Sequence, residues 1–326
     1  MSETPRELRT FLRECLGERF RVDPLAGDAS ARAYYRVSTG EGGRWMAAYY
    51  PEDVRPGLEQ FLGAWRALAP HAPLPEVVRA GSCAILQQDV GDVTLFEVLE
   101  TDRGRGIALY RRAVDLLIAL QGAEAGRELN PPFTAEFFAA ELAITREFWV
   151  QRMCGVEGAG ALGRLATSFE RLCAALERHP QVLCHRDYHG QNLHVFEDRI
   201  YVIDYQDLRL GPDTYDLASL LRDRGVARAL RRDAENELIE YYRHRTGGDD
   251  GLRRRYFETL LQRSIKIVGT FARQSITRGR HHYLAYIPPT LESIRLCVDQ
   301  LPEYRDLLES FPLETSETQP AIGPGR

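Results

Sequence analysis

Apolar residues recur at helical spacing along most of this chain, but its first quarter reads mainly as strands. Residues 5–16 form a short amphipathic helix. Phe20 to Val37 then reads as strand, turn and strand around Gly27-Asp28-Ala29-Ser30. Gly40 to Gly43 is a turn, and Arg44 to Tyr50 a third strand. Leu58, Phe61, Leu62, Trp65 and Leu68 return to helical spacing across Pro56–Leu68. Val77-Val78 and Ala84–Leu86 predict two more strands, and Gln87 to Asp92 a connector. Beyond it the apolar positions predict helices over residues 107–120, 134–153, 161–178, 214–222, 229–245, 252–278 and 289–308. The pattern predicts an α+β protein: a small β-rich N-terminal lobe (1–88), a larger helical lobe (89–313), and a polar tail (314–326) expected to be disordered.

One stretch interrupts the helical lobe. Leu193–Phe196 and Ile200–Ile203 are mostly apolar and read as strands, separated by the polar Glu197-Asp198-Arg199, which predicts a hairpin. With its tip centred on Asp198, Asn192 faces Asp204 across the open end. Just ahead runs His185-Arg186-Asp187-Tyr188-His189-Gly190-Gln191-Asn192. Asp187, Asn192 and Asp204 are the residue types phosphoryl transfer requires. A carboxylate orients the attacking hydroxyl, and oxygen ligands hold the Mg²⁺ that bridges the phosphates. The plain alternative is a polar turn before a surface hairpin, since Asp and Asn favour turns. The second carboxylate at the end of the hairpin weighs against it.

Composition narrows the class. A chain of 326 residues with 44% hydrophobic content suffices for two lobes and a core. No apolar run is long enough to span a bilayer, and the N-terminus has no signal-peptide core, so no membrane partner is expected and the default location is cytoplasmic. The net charge of −5 argues against a nucleic-acid binder. Six cysteines include no C-x-x-C pair. Lys266 is the only lysine among 42 basic residues.

These motifs resemble the aminoglycoside phosphotransferase and choline kinase-like family, whose fold is protein-kinase-like and two-lobed. Gly27-Asp28-Ala29-Ser30 with Arg32, Tyr34 and Arg36, the run Val202–Asp207, Thr214–Leu217, Ser219–Asp223 and Gly269–Arg273 are similar to one branch. That branch holds anomeric N-acetylmuramate/N-acetylglucosamine kinases of bacterial cell-wall recycling. The resemblance implies ATP and Mg²⁺ as cofactors and a small sugar as acceptor. It makes Asp187 the catalytic base and Asn192 and Asp204 the metal ligands. Gln88 and Val90 take the place of the backbone that binds adenine, and Ser30 sits in the phosphate-covering turn. It gives Asp216 a bracing role on the catalytic loop, although an acid in a helix's first turn has its own electrostatic reason. His185 and Arg186 likewise brace the loop.

The chain departs from the kinase pattern at its third strand, where a lysine gripping the phosphates is expected and none occurs. Arg32 and Arg36, four apart on one strand face, are the replacements, since guanidinium binds phosphate bidentately. Glu59 is the residue to pair with such an arginine, or else a solvated helix residue. Arg209 and Arg273 are candidates for a sugar acid's carboxylate. Trp149, Phe138 and Phe148 are expected in the core. Two alternatives stay open: a kinase for an aminoglycoside or choline-like amine, and a nucleotide-binding pseudokinase.

Overall fold

The structure is a computed structural model describing residues 4–25, 32–40, 42–124 and 130–314, the side chain of Arg224 excepted. Ser30 with the expected turn at 27–30, and the expected disordered tail from 315 onward, lie outside the described residues.

In chain order the elements begin with α1 (Arg6–Leu16), β1 (Phe20–Pro24), β2 (Ala33–Thr39), β3 (Arg44–Tyr49), α2 (Pro56–Leu68), β4 (Val77–Ala80) and β5 (Ala84–Gln88). Next come α3 (Leu95–Thr101), α4 (Arg103–Gln121), α5 (Ala135–Thr145), α6 (Ala159–Glu177), β6 (Gln181–Cys184), β7 (Leu193–Phe196), β8 (Arg199–Val202) and β9 (Arg209–Pro212). Last are α7 (Tyr215–Arg222), α8 (Val226–Leu230), α9 (Arg232–Thr246), α10 (Leu252–Arg278), α11 (Ile287–Gln300) and α12 (Arg305–Leu308). Packing divides the chain into two compact units: Met1–Asn130 with Gly190–Leu208, and Pro131–His189 with Arg209–Arg326. The strand-rich segment 1–88 falls in the first unit, which also takes in α3, α4 and the hairpin.

In the first unit, five strands form an antiparallel sheet in the order β1-β2-β3-β5-β4. Tyr35, Val37, Ala47 and Leu86 cluster with Leu8, Phe11 and Leu12 of α1, so the helix covers the sheet's apolar positions. Helix α3 escapes the periodicity reading because seven residues make barely two turns. Its start is a capping box: Glu97 N–H donates to Thr94 Oγ1 (3.2 Å) and Thr94 N–H to Glu97 Oε2 (2.8 Å).

The hairpin forms, but its register is one residue away from the expected one. Leu193 pairs with Val202 and Phe196 with Arg199, leaving a two-residue loop, Glu197-Asp198. Both loop residues have positive φ (47° and 62°), as a type I′ turn demands, and that turn's twist matches the flanking strands better than a three-residue tip. Asn192 therefore stands opposite Ile203, whose N–H donates to the Asn192 carbonyl (3.1 Å), and Asp204 comes one step later. Asp204 itself has φ 62°, which turns the chain at the end of the strand.

In the second unit, the 27-residue α10 packs against α5, α7 and α11. Gly269 permits one of these contacts. A Cβ there would fall 2.2 Å from Thr145 Oγ1, whose hydroxyl donates to the Ile265 carbonyl (2.8 Å). The helix expected over 134–153 continues past α5 as a π-helical stretch, Arg146–Met153, in which Phe148 and Trp149 are buried, as Phe138 is in α5. The helix expected over 229–245 is broken at Arg231 (φ 65°) into α8 and α9. Strand β9, paired antiparallel with β6, was not apparent from the pattern. Among the described residues no helix is long and apolar enough to cross a membrane.

Candidate active site

Strand β6 delivers the chain into the loop His185–His189, and two buried side chains clamp that loop. Asp216, in the first turn of α7, is fully buried and accepts the backbone N–H of His185 (2.6 Å) and of Arg186 (2.9 Å). Burial pushes its carboxyl above the usual range, with the His185 charge and these N–H groups offsetting only part of that. From the other side, Arg263 of α10 donates to the Arg186 carbonyl (3.1 Å) while its second nitrogen is paired with Asp223. Arg186 lies at φ 81°, a left-handed conformation costly for a residue with a side chain, so the clamp holds a strained backbone. The next residue is Asp187.

Asp187 opens onto a cavity of about 830 Å³ within the second unit, also lined by His189 and Lys266. The carboxylate is reached by solvent in the cavity while protein surrounds it in depth. Burial works to raise its pKa, but the charges of Lys266, His189, Arg263 and His185 outweigh burial and hold it below the usual value. Lys266 is thus a residue that sequence distance concealed. It donates to Tyr215 Oη (3.0 Å) and pairs with Glu141 (3.2 Å), and these partners keep its ammonium charged against the cost of burial. The signal available in the sequence was only that the single lysine sits on the helix carrying Gly269–Arg273. Arg209 and Arg273 do not line the cavity. Arg209 instead stacks on Phe137 (4.4 Å to the ring centroid) and donates to the Pro131 carbonyl.

The first unit has its own cavity, of about 310 Å³, and four predicted residues line it: Gln88, Val90, Asn192 and Asp204. Its remaining walls are largely apolar, with Leu25, Met46 and Ile203. The connector is fixed to the hairpin, since His194 Nδ1 lies 2.7 Å from the Gly91 carbonyl and Val195 N–H donates to the Val93 carbonyl. The two arginines part company. Arg32 lies 3.6 Å from Asp204, with its guanidinium 5.9 Å from the ring centroids of both Tyr34 and Tyr50. Arg36 grips the connector, pairing with buried Asp89 (2.8 Å) and with Asp92 (2.7 Å). Glu59 is exposed on α2.

Among the described residues, no three His, Cys, Asp or Glu side chains gather as a metal centre. Of the carboxylates lining the smaller cavity, Asp89 and Asp92 are paired with Arg36, and Asp204 with the amide of Asn192 offers a hard oxygen set suited to Mg²⁺, which keeps waters and phosphate oxygens in its shell. Asp204 also accepts from Gln206 Nε2 (2.9 Å). Asp187 belongs to the second unit, Asn192 and Asp204 to the first.

Comparison with known proteins agrees with this chemistry. The model of the phosphotransferase enzyme family matches residues 21–257. An N-acetylmuramate/N-acetylglucosamine kinase of Pseudomonas aeruginosa is 28% identical, covering 93% of this chain and 94% of its own. A protein of the same description from Neisseria meningitidis is 27% identical, over 89% of each chain. Among solved structures, an ADP-bound aminoglycoside phosphotransferase superposes with a TM-score of 0.63 at 14% identity, covering 89% of this chain and 98% of that one. A choline/ethanolamine kinase family protein of Mesorhizobium loti gives 0.63 at 16%, covering 94% and 99%. These likenesses establish the protein-kinase-like fold.

Proposed function

The chain belongs to the phosphotransferase enzyme family, and on that premise we propose that it is an ATP-dependent amino-sugar kinase of the cytoplasm. It moves the γ-phosphoryl group of ATP to the anomeric hydroxyl of N-acetylmuramate or N-acetylglucosamine. One observation carries the reading: a carboxylate on a clamped loop, kept ionised, at the wall of a cavity in which basic groups outnumber acids.

In this reading Asp187 accepts a hydrogen bond from the sugar hydroxyl, aligns its oxygen and takes its proton as the new P–O bond forms and the γ-phosphorus bond to the bridging oxygen breaks, with ADP as the leaving group. Asn192 and Asp204 hold Mg²⁺, which when bound neutralises charge on the β- and γ-phosphates. The backbone at Gln88 and Val90 receives the adenine, against Met46 and Ile203. Arg32 is the phosphate-side arginine, while Arg36 keeps the connector in shape through Asp89 and Asp92. Relatives of nearly equal length carrying this activity in their names support the acceptor. An aminoglycoside or choline-like acceptor is cationic and suits acid-lined walls, whereas Arg222, Arg228, Arg232, Arg263 and Lys266 face this cavity against Asp187, Asp223 and Glu292.

The test is incubation with Mg·ATP and a panel of amino sugars, aminoglycosides and choline, reading ADP release and the phosphorylated product. Amino-sugar 1-phosphates are expected, with EDTA stopping the reaction. Asp187→Asn should lower kcat by about 10²–10⁴-fold with nucleotide affinity retained. Transfer to an aminoglycoside and to no amino sugar, or near wild-type turnover in the variant, rejects the reading.

A further inference from the structure

The larger cavity has a second feature that the phosphoryl-transfer residues leave unused. Most of its cations are committed: Arg222 to Glu235 (2.5 Å), Arg263 to Asp223, and Lys266 to Glu141 (3.2 Å). Arg228 and Arg232 differ. Both are exposed, both line the cavity, and neither makes an ion pair among the described residues. They flank the break between α8 and α9, where Arg231 takes a φ of 65°. A non-glycine residue held in that region costs energy that ordinary helix packing does not require, and such positions gather at ligand sites.

The same cavity offers an aromatic surface. Tyr286 is 43% exposed and lies 5.7 Å from Phe271, and both line the wall. Phe271 is stacked in turn on Tyr283 (5.2 Å, 20° between planes). A half-exposed ring fixed from behind suits the C–H face of a pyranose. At about 830 Å³ the space accepts a sugar with a bulky substituent.

We propose that Arg228 and Arg232 form a carboxylate subsite that favours acid-bearing amino sugars over neutral ones, with Phe271 and Tyr286 as the platform for the ring. The inference rests on the amino-sugar kinase reading above. Two guanidinium groups offer planar, charge-assisted donors to a carboxylate, and an acetamido sugar without one leaves them in water. The acids on the cavity do not cancel them: Asp223 is taken by Arg263 and Ser219, and Glu292 is exposed on the separate helix α11.

The experiment compares kcat/KM for N-acetylmuramate and for N-acetylglucosamine in the full-length wild type, Arg228→Gln, Arg232→Gln and the double variant. Each protein is first checked for an unchanged melting temperature. The muramate-to-glucosamine ratio should fall about 5-fold in each single variant and about 25-fold in the double variant, through KM for the acid sugar. Raising KCl should erode the same ratio in the wild type. A ratio that stays constant while the wild type phosphorylates both sugars overturns the subsite and leaves the kinase reading intact. A wild type that phosphorylates neither sugar overturns the kinase reading and the subsite with it.

Discussion

Replacing Asp216 with asparagine removes one of the two clamps on the Asp187 loop. The native carboxylate accepts two backbone N–H groups, at 2.6 Å and 2.9 Å, from a fully buried position. A hydrogen bond to a charged group contributes about 1.5–3 kcal/mol. An amide has one acceptor oxygen, so one of those N–H groups then faces an NH₂, and roughly that amount is lost. For a protein of this size the change corresponds to a melting-temperature drop of roughly 2–4 °C. Arg186, at φ 81°, adds strain of order 1–3 kcal/mol, which the weakened clamp no longer holds. As that backbone relaxes Asp187 moves with it, and a displacement near 1 Å costs about 10²-fold in rate. The assay is thermal unfolding alongside kcat with a saturating amino sugar. Adding Arg186→Gly to the variant should restore part of the stability, because glycine occupies positive φ freely. An Asp216→Asn protein that melts with the wild type and keeps kcat within 2-fold refutes the claim that this carboxylate holds the loop.

Two further outcomes test neighbouring claims. Lys266→Met removes the foremost charge that counters burial at Asp187, so its pKa should climb and the acid limb of kcat/KM should move to higher pH. A depressed carboxyl stabilises the fold above its unfolded value near 3.8 and loses that contribution as pH falls through the folded value, so the variant's stability in acid should differ less from its stability at neutral pH. Gly190→Ala places a Cβ 2.6 Å from Tyr110 Oη and 2.9 Å from Phe96 Cβ. Overpacking of that kind costs about 1–3 kcal/mol, and a melting temperature equal to the wild type's would contradict it.

Much of this fold is legible because its signals are local. The 252–278 helix is read to the residue, since its apolar stripe and terminal Gly279 both lie in the sequence. The hairpin was legible as strands, but not its register, because Glu197 and Asp198 accept positive φ without the glycine that advertises a type I′ turn. Strand β9 was hidden because Arg209-Leu210-Gly211-Pro212 looks like a loop and becomes a strand only by pairing with β6. The break at Arg231 was hidden for the opposite reason: the apolar spacing continues through it. At the site, Gln88, Val90, Asn192 and Asp204 meet on one cavity because the connector and hairpin are hydrogen-bonded neighbours. Lys266 joins Asp187 only through tertiary packing, across nearly eighty residues of chain that carry no trace of it.

That lysine carries the only side-chain amine in the molecule, 21% exposed and hydrogen-bonded to Tyr215. Acylating reagents, dyes and cross-linkers aimed at amines therefore have a single internal target, and it lies on the wall of the larger cavity, beside Asp187. The extent of its labelling, read as one mass increment, becomes an occupancy gauge that ligands shield. Conversely, attaching this protein to a surface through amine chemistry obstructs that cavity unless coupling is confined to the N-terminus.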